Sequence, residues 1–208
     1  MAQNQTEDAL ERCKQGMKIC KHALENGSTK DDLAQLYCDL MKQALELYSE
    51  LKLTLDQNII ASSYVQFTEK AFGEKSNEKA LALYQLSRAK FALEEKDQAL
   101  ELIREATRIK RGKVLTQTKK DVQTAQMYLW KATILEKSMF KPREALKCYK
   151  QALEIIRQVE SWPSAEAYKN NILNQSVQLV ELISQTDPGF DYEALSEEED
   201  YSVMDFES

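Results

Sequence analysis

The chain of 208 residues has little of what bends a polypeptide: five glycines and three prolines. So few turn formers leave long elements joined by short connections. It has one histidine, His22. A zinc site or a histidine-centred acid–base pair therefore has no second partner to draw on. No glycine-rich stretch is present to cradle a phosphate. The four cysteines, Cys13, Cys20, Cys38 and Cys148, carry no C-x-x-C spacing. They read as small buried hydrophobes in a reducing compartment. No apolar run approaches the ~18 residues of a membrane span, and no basic stretch followed by an apolar run opens the chain. These absences point to a soluble, cytoplasmic or nuclear chain that is not an enzyme, with no metal, no other cofactor and no membrane partner.

What is present is Ala, Glu, Leu, Lys and Gln, all good helix formers, in apolar patterns of helical period with no strand-like alternation. The fold class is all-α, with helices expected over 6–25, 30–53, 54–72, 76–93, 98–111, 116–137, 142–161 and 162–184. Thr6 and Ser76 are candidate N-caps, Gly73 ends the third helix and Pro142 suits the start of the seventh. In the first helix Leu10, Cys13, Met17, Cys20 and Leu24 form one stripe. In the second, Leu33, Leu36, Tyr37, Leu40, Met41, Ala44, Leu47, Tyr48 and Leu51 make a face broad enough to pack on two sides. The third offers Ile59, Ile60, Tyr64, Phe67 and Phe72. Short connections make successive helices antiparallel neighbours.

One signature occurs twice. Leu86-Ser87 is followed by Ala99-Leu100-x-x-Ile103-x-x-Ala106, and Lys131-Ala132 by Ala145-Leu146-x-x-Tyr149-x-x-Ala152-Leu153. Small residues let helices approach closely and larger ones fill the space between turns. The step from Ala99 to Ala145 is 46 residues, which implies lengthened helices. At these positions, from Ala80 to Ile109 and from Gln126 to Ile155, the chain resembles the tetratricopeptide repeat family, and Ala165 to Asn170 resembles the start of a further unit. Ser or Ala replaces the family's usual first-helix Gly, and its terminal Pro is missing after the first unit. The resemblance implies a right-handed stack of antiparallel helical hairpins over residues 1–186. It also implies a concave groove lined by first-helix residues: Tyr84, Gln85, Arg88 and Phe91; then Gln126, Leu129, Trp130 and Thr133; then Lys169, Asn170 and Leu173. Some members clamp a C-terminal carboxylate there. Here only Asn170 and Lys169 fall at suitable places, and Leu129 and Thr133 break that pattern. Trp130 reads either as a core aromatic or as a groove anchor.

Charge divides the chain. Residues 187–208 hold nine acids and no bases, which leaves 28 basic against 25 acidic residues in the rest. The densest basic run is Arg104, Arg108, Lys110, Arg111 and Lys113. Cations collect at helix C-termini, and an acidic segment could also dock there. Nucleic acid is disfavoured by a body so weakly basic. The stretch 187–208 reads as a disordered tail with the character of short motifs. Tyr192 and Leu195 form an aromatic-x-x-aliphatic pair, Ser196 precedes three glutamates, and Tyr201 and Phe206 lie among acids. The resulting expectation is a non-catalytic adaptor or scaffold that binds a peptide segment of a protein partner. Its tail would act as an autoinhibitor or recruit a second partner. The rivals are a dedicated chaperone of one unstable client and a structural subunit of a larger complex.

Overall fold

In the computed structural model the described residues are 2–26, 31–114, 122–158 and 165–192. They form eight helices: α1 (Ala2–Glu25), α2 (Asp31–Glu50), α3 (Thr54–Phe72), α4 (Asn77–Ala92), α5 (Lys96–Val114), α6 (Val122–Lys137), α7 (Pro142–Gln158) and α8 (Ala165–Thr186). The fold is all-α, built of sequential hairpins. It divides into two compact units, residues 1–118 and 119–208. Among the described residues no helix is long and apolar enough to cross a membrane.

In the first unit each helix packs on the next, and α2 also touches α4, so even-numbered helices are neighbours. Leu10, Cys13, Met17 and Cys20 of α1 bury against the same core as Tyr37, Cys38, Met41, Ala44, Leu45 and Tyr48 of α2. Gly16 permits this approach: a Cβ there would lie 3.1 Å from Leu40 Cδ1. Phe67 of α3 meets Tyr37 edge-on at 4.7 Å between ring centroids. Burial pushes the Cys38 thiol up to about 12 and holds the Tyr64 phenol, hydrogen-bonded to it, well above its ordinary value. Lys79 is buried, with Nζ 3.2 Å from Glu69 and 3.6 Å from Glu105, which ties α3, α4 and α5 together.

In the second unit α7 lies between α6 and α8. Met127, Ile134 and Leu135 of α6, Leu146, Tyr149, Leu153 and Ile156 of α7, and Ile172, Leu179 and Ile183 of α8 are buried. All four cysteines are buried and none forms a disulfide.

Ser76 caps α4 by accepting from the Lys79 backbone N–H at 3.0 Å, and Gly73 closes α3 at φ 90°. Other ends differ from expectation. Helix α1 begins at Ala2, four residues before Thr6, where Gln3 reaches Glu7 across one turn at 3.4 Å. The long step between the repeats is taken up partly by α5, 19 residues long, and otherwise falls on residues 115–121, outside the described residues. Ile59 and Leu36 are exposed rather than in the core.

The hairpins α2–α3, α4–α5 and α6–α7 share a closure that no glycine announces. Lys52, Glu94 and Phe140, each just past an even-numbered helix, sit in the left-handed region at φ 56°, 65° and 53°. The next amides return to the helix: Leu53 N–H to Tyr48 O at 2.9 Å, Glu95 N–H to Lys90 O at 3.0 Å, and Lys141 N–H to Leu135 O at 2.9 Å. This satisfies carbonyls that the helix end leaves without partners.

Candidate peptide-binding rows

Helix α6 keeps one half-open face, whereas α4 has a short half-open stretch at Leu86, packed on the core, and Lys90, paired with Glu95, opposite a longer half-open row. That longer row runs through Leu81, Tyr84, Arg88 and Phe91, half-buried at helical spacing. The Arg88 guanidinium lies 5.8 Å from the Tyr84 ring centroid and donates to Gln85 Oε1 at 3.3 Å. Gln85 itself is only 6% exposed. It lies off the row and orients Arg88 rather than offering itself to a ligand.

On α6 all four expected residues, Gln126, Leu129, Trp130 and Thr133, are half-buried and share one face, flanked by buried residues at 124, 125, 127, 128, 131, 132, 134 and 135. Trp130 is thus neither a fully enclosed core ring nor a fully solvated one. Thr133 donates its hydroxyl to the Leu129 carbonyl at 2.9 Å, which turns the polar atom into the helix. Tyr149 of α7 donates to Glu136 Oε2 at 2.8 Å, and burial with that carboxylate raises its phenol well above the ordinary range.

Helix α8 is more open. Lys169 is half-buried and pairs with Glu166 at 2.8 Å, Asn170 is exposed, and Leu173 continues into Val177 as an exposed apolar row. The α4 row belongs to the first unit and the α6 and α8 rows to the second.

The basic run resolves differently. Arg104, Arg108 and Arg111 are exposed at i, i+4 and i+7, one stripe of α5. Lys110 is 4% exposed, among the core-facing positions with Ile103, Ala106 and Ile109, so it is no part of a surface patch. The side chain of Lys113 lies outside the described residues. Of the tail positions, Leu195, Ser196, Tyr201 and Phe206 also lie outside them, and Tyr192 is half-buried.

A second basic stripe went unremarked in the sequence: Arg143, Lys147 and Lys150 of α7, again at i, i+4 and i+7. The first residues after α8 lie on it. Asp187 pairs with the Arg143 guanidinium, whose Cζ is 5.5 Å from the Phe190 ring centroid. Lys150 Nζ is 5.5 Å from the Tyr192 ring centroid. Charges mapped on a helical wheel reveal this stripe, but nothing in the sequence pairs it with 187–192. His22, at the end of α1, is exposed beside Asn26 at 3.1 Å. Among the described residues no group of three or more His, Cys, Asp or Glu could hold a metal ion.

No protein-family model matches the chain, and no curated protein matches it by sequence. Solved structures do match in fold. The crystal structure of BtubC (BKLC) from P. vanneervenii aligns with a TM-score of 0.67 at 11% identity, covering 89% of this chain and 75% of that one. The structure of a Podosopora anserina putative kinesin light chain with nearly identical TPR-like repeats aligns at 0.50 and 12% identity, over 86% of this chain and 98% of that one. A Q17M form of it aligns at 0.51 and 12%. The chain therefore has the fold of TPR-like repeat proteins.

Proposed function

We propose that the chain is a non-catalytic adaptor that binds peptide segments of protein partners along its half-open helix rows, one in each unit. The observation that carries this is a half-buried row at helical spacing on each helix, Tyr84, Arg88 and Phe91 on α4 and Gln126, Leu129 and Trp130 on α6, which leaves aromatic, apolar and guanidinium groups within reach of a partner. Tyr, Trp and Arg are the residues that most often anchor interfaces: the rings bury large areas at low entropic cost, and the guanidinium adds a planar fork of donors. In this reading Tyr84, Arg88 and Phe91 serve the first unit, Gln126, Leu129 and Trp130 the second, and Lys169, Asn170 and Leu173 extend the second. The helical body, residues 1–186, carries binding. The acidic residues 187–208 regulate it or recruit a second partner, and the setting is cytoplasmic or nuclear. Arg88→Glu and Trp130→Ala are expected to abolish partner capture from the native cell while far-UV circular dichroism stays unchanged. Capture that survives both substitutions contradicts the assignment.

A second reading, a structural subunit of a larger complex, is favoured by Leu55 and Ile59, exposed at i, i+4 on α3. Cross-linking mass spectrometry distinguishes the two: stable cross-links from the α3 face support the subunit, and cross-links from the α4 and α6 rows support the adaptor.

A further inference from the structure

We propose that the α7 stripe of Arg143, Lys147 and Lys150 is a second binding surface, selective for an acidic segment that carries an aromatic pair, and that residues 187–192 occupy it in cis. This deepens the functional reading at the start of the tail, where residues 187–192 rest on α7.

The cis contact has a defined chemistry. The Asp187 carboxylate meets the Arg143 guanidinium, and the Phe190 and Tyr192 rings lie against the cations of Arg143 and Lys150. A turn closed by Phe190 N–H to Asp187 O at 3.0 Å sets the first ring beside the cation that the acid already holds. As the chain advances from 187 to 192, its partners advance from 143 to 150, so the strap travels in the direction of α7. The pattern read by this surface is Asp-x-x-aromatic-x-aromatic. A purely acidic segment would make only the screened ion pairs.

Each contact is individually weak: the Arg143 and Asp187 side chains are 56% and 42% accessible, and Lys150, Phe190 and Tyr192 are only half-buried. Exposed ion pairs and cation–π contacts of this kind do not by themselves fix a segment. Tethering supplies a high effective concentration, so weak contacts suffice in cis while a partner segment with the same pattern can displace them. The arrangement is therefore a resident competitor rather than a part of the core.

The test uses the full chain. Asp187→Asn, Phe190→Ala and Tyr192→Ala together break the strap. A fluorescein-labelled synthetic peptide of residues 185–201, followed by fluorescence anisotropy, is the probe. The strap-broken chain is expected to bind it about tenfold more tightly than the native chain, as loss of a tethered competitor requires. Added salt is expected to weaken this binding. Adding Arg143→Glu and Lys150→Glu, or the milder Arg143→Gln and Lys150→Gln, is expected to remove the gain with helicity unchanged. Equal binding by native and strap-broken chains overturns the proposal. So does a gain that survives the α7 substitutions, or no binding by a folded strap-broken chain. Arg88→Glu and Trp130→Ala are expected to leave peptide binding intact. If they abolish it, the segment sits on the helix rows, and the α7 surface fails while the adaptor reading stands.

Discussion

The α4–α5 and α6–α7 hairpins are two solutions to one packing problem. Both bring an alanine, Ala99 or Ala145, to full burial where the two helices approach. In the first, Ser87 crosses the hairpin and donates to the Ala99 carbonyl at 2.7 Å. In the second, the matching position is Ala132, and the tie moves one turn along, to Tyr149 and Glu136 at 2.8 Å. The closures diverge too. Beside Glu94, Lys90 pairs with Glu95 at 2.8 Å, whereas Phe140 is itself 84% exposed. The shared element is steric, a small residue at the crossing, and the polar tie can migrate. This explains why the repeat signature keeps its alanines and varies around them.

The comparison can be broken most forcefully at the shared element. Ala99→Leu and Ala145→Leu overpack fully closed positions, and each is expected to lower stability by about 3 kcal/mol in urea unfolding. A tolerant Ala145 would show that the second hairpin is not close-packed at that crossing. Next come the polar ties. Tyr149→Phe leaves Glu136 without its donor and is expected to cost about 2 kcal/mol, against about 1 kcal/mol for Ser87→Ala, whose carbonyl acceptor still has its helical partner. Equal costs would mean that the charged acceptor adds nothing.

Alkaline pH sharpens the contrast between the units. Burial raises Cys38 and Tyr64 in the first unit and Tyr149 in the second. The folded chain keeps these protons after the unfolded chain has released them, so stability is full at neutral pH and falls as pH rises from about 9. In urea titrations at increasing pH, Cys38→Ala is expected to flatten the early part of that fall and Tyr149→Phe the later part. The smallest effect is at the turns. Glu94→Gly and Phe140→Gly relieve left-handed backbone and are expected to raise stability by about 0.5 kcal/mol each in the same assay, once glycine's greater unfolded entropy is offset.

Most of the helical layout was legible because its signals are local: the Ser76 cap, the Gly73 closure, and the Leu10–Cys13–Met17–Cys20 stripe. The left-handed closures at Lys52, Glu94 and Phe140 were not, because hairpin geometry imposes that conformation on residues that do not favour it. Ile59 and Lys110 were misplaced for a related reason. Hydrophobicity placed one inside and charge placed the other outside, but helix phase turns Ile59 to solvent and buries the Lys110 stem. On α6, family spacing and helix phase coincide, so Gln126, Leu129, Trp130 and Thr133 share one half-buried face. Gln85 was grouped with a row that it only supports. The strap on α7 joins residues more than 40 positions apart and had no local signal.

The central claim is that partners lie along the half-open rows. Site-specific photo-cross-linking tests it most directly, with a photoreactive phenylalanine placed at position 84, 91 or 129, or on exposed outer faces at Lys18 and Glu101. The account predicts a discrete partner band from the row positions and none from the outer ones. Cross-links confined to the outer positions, with the row positions silent, would contradict it.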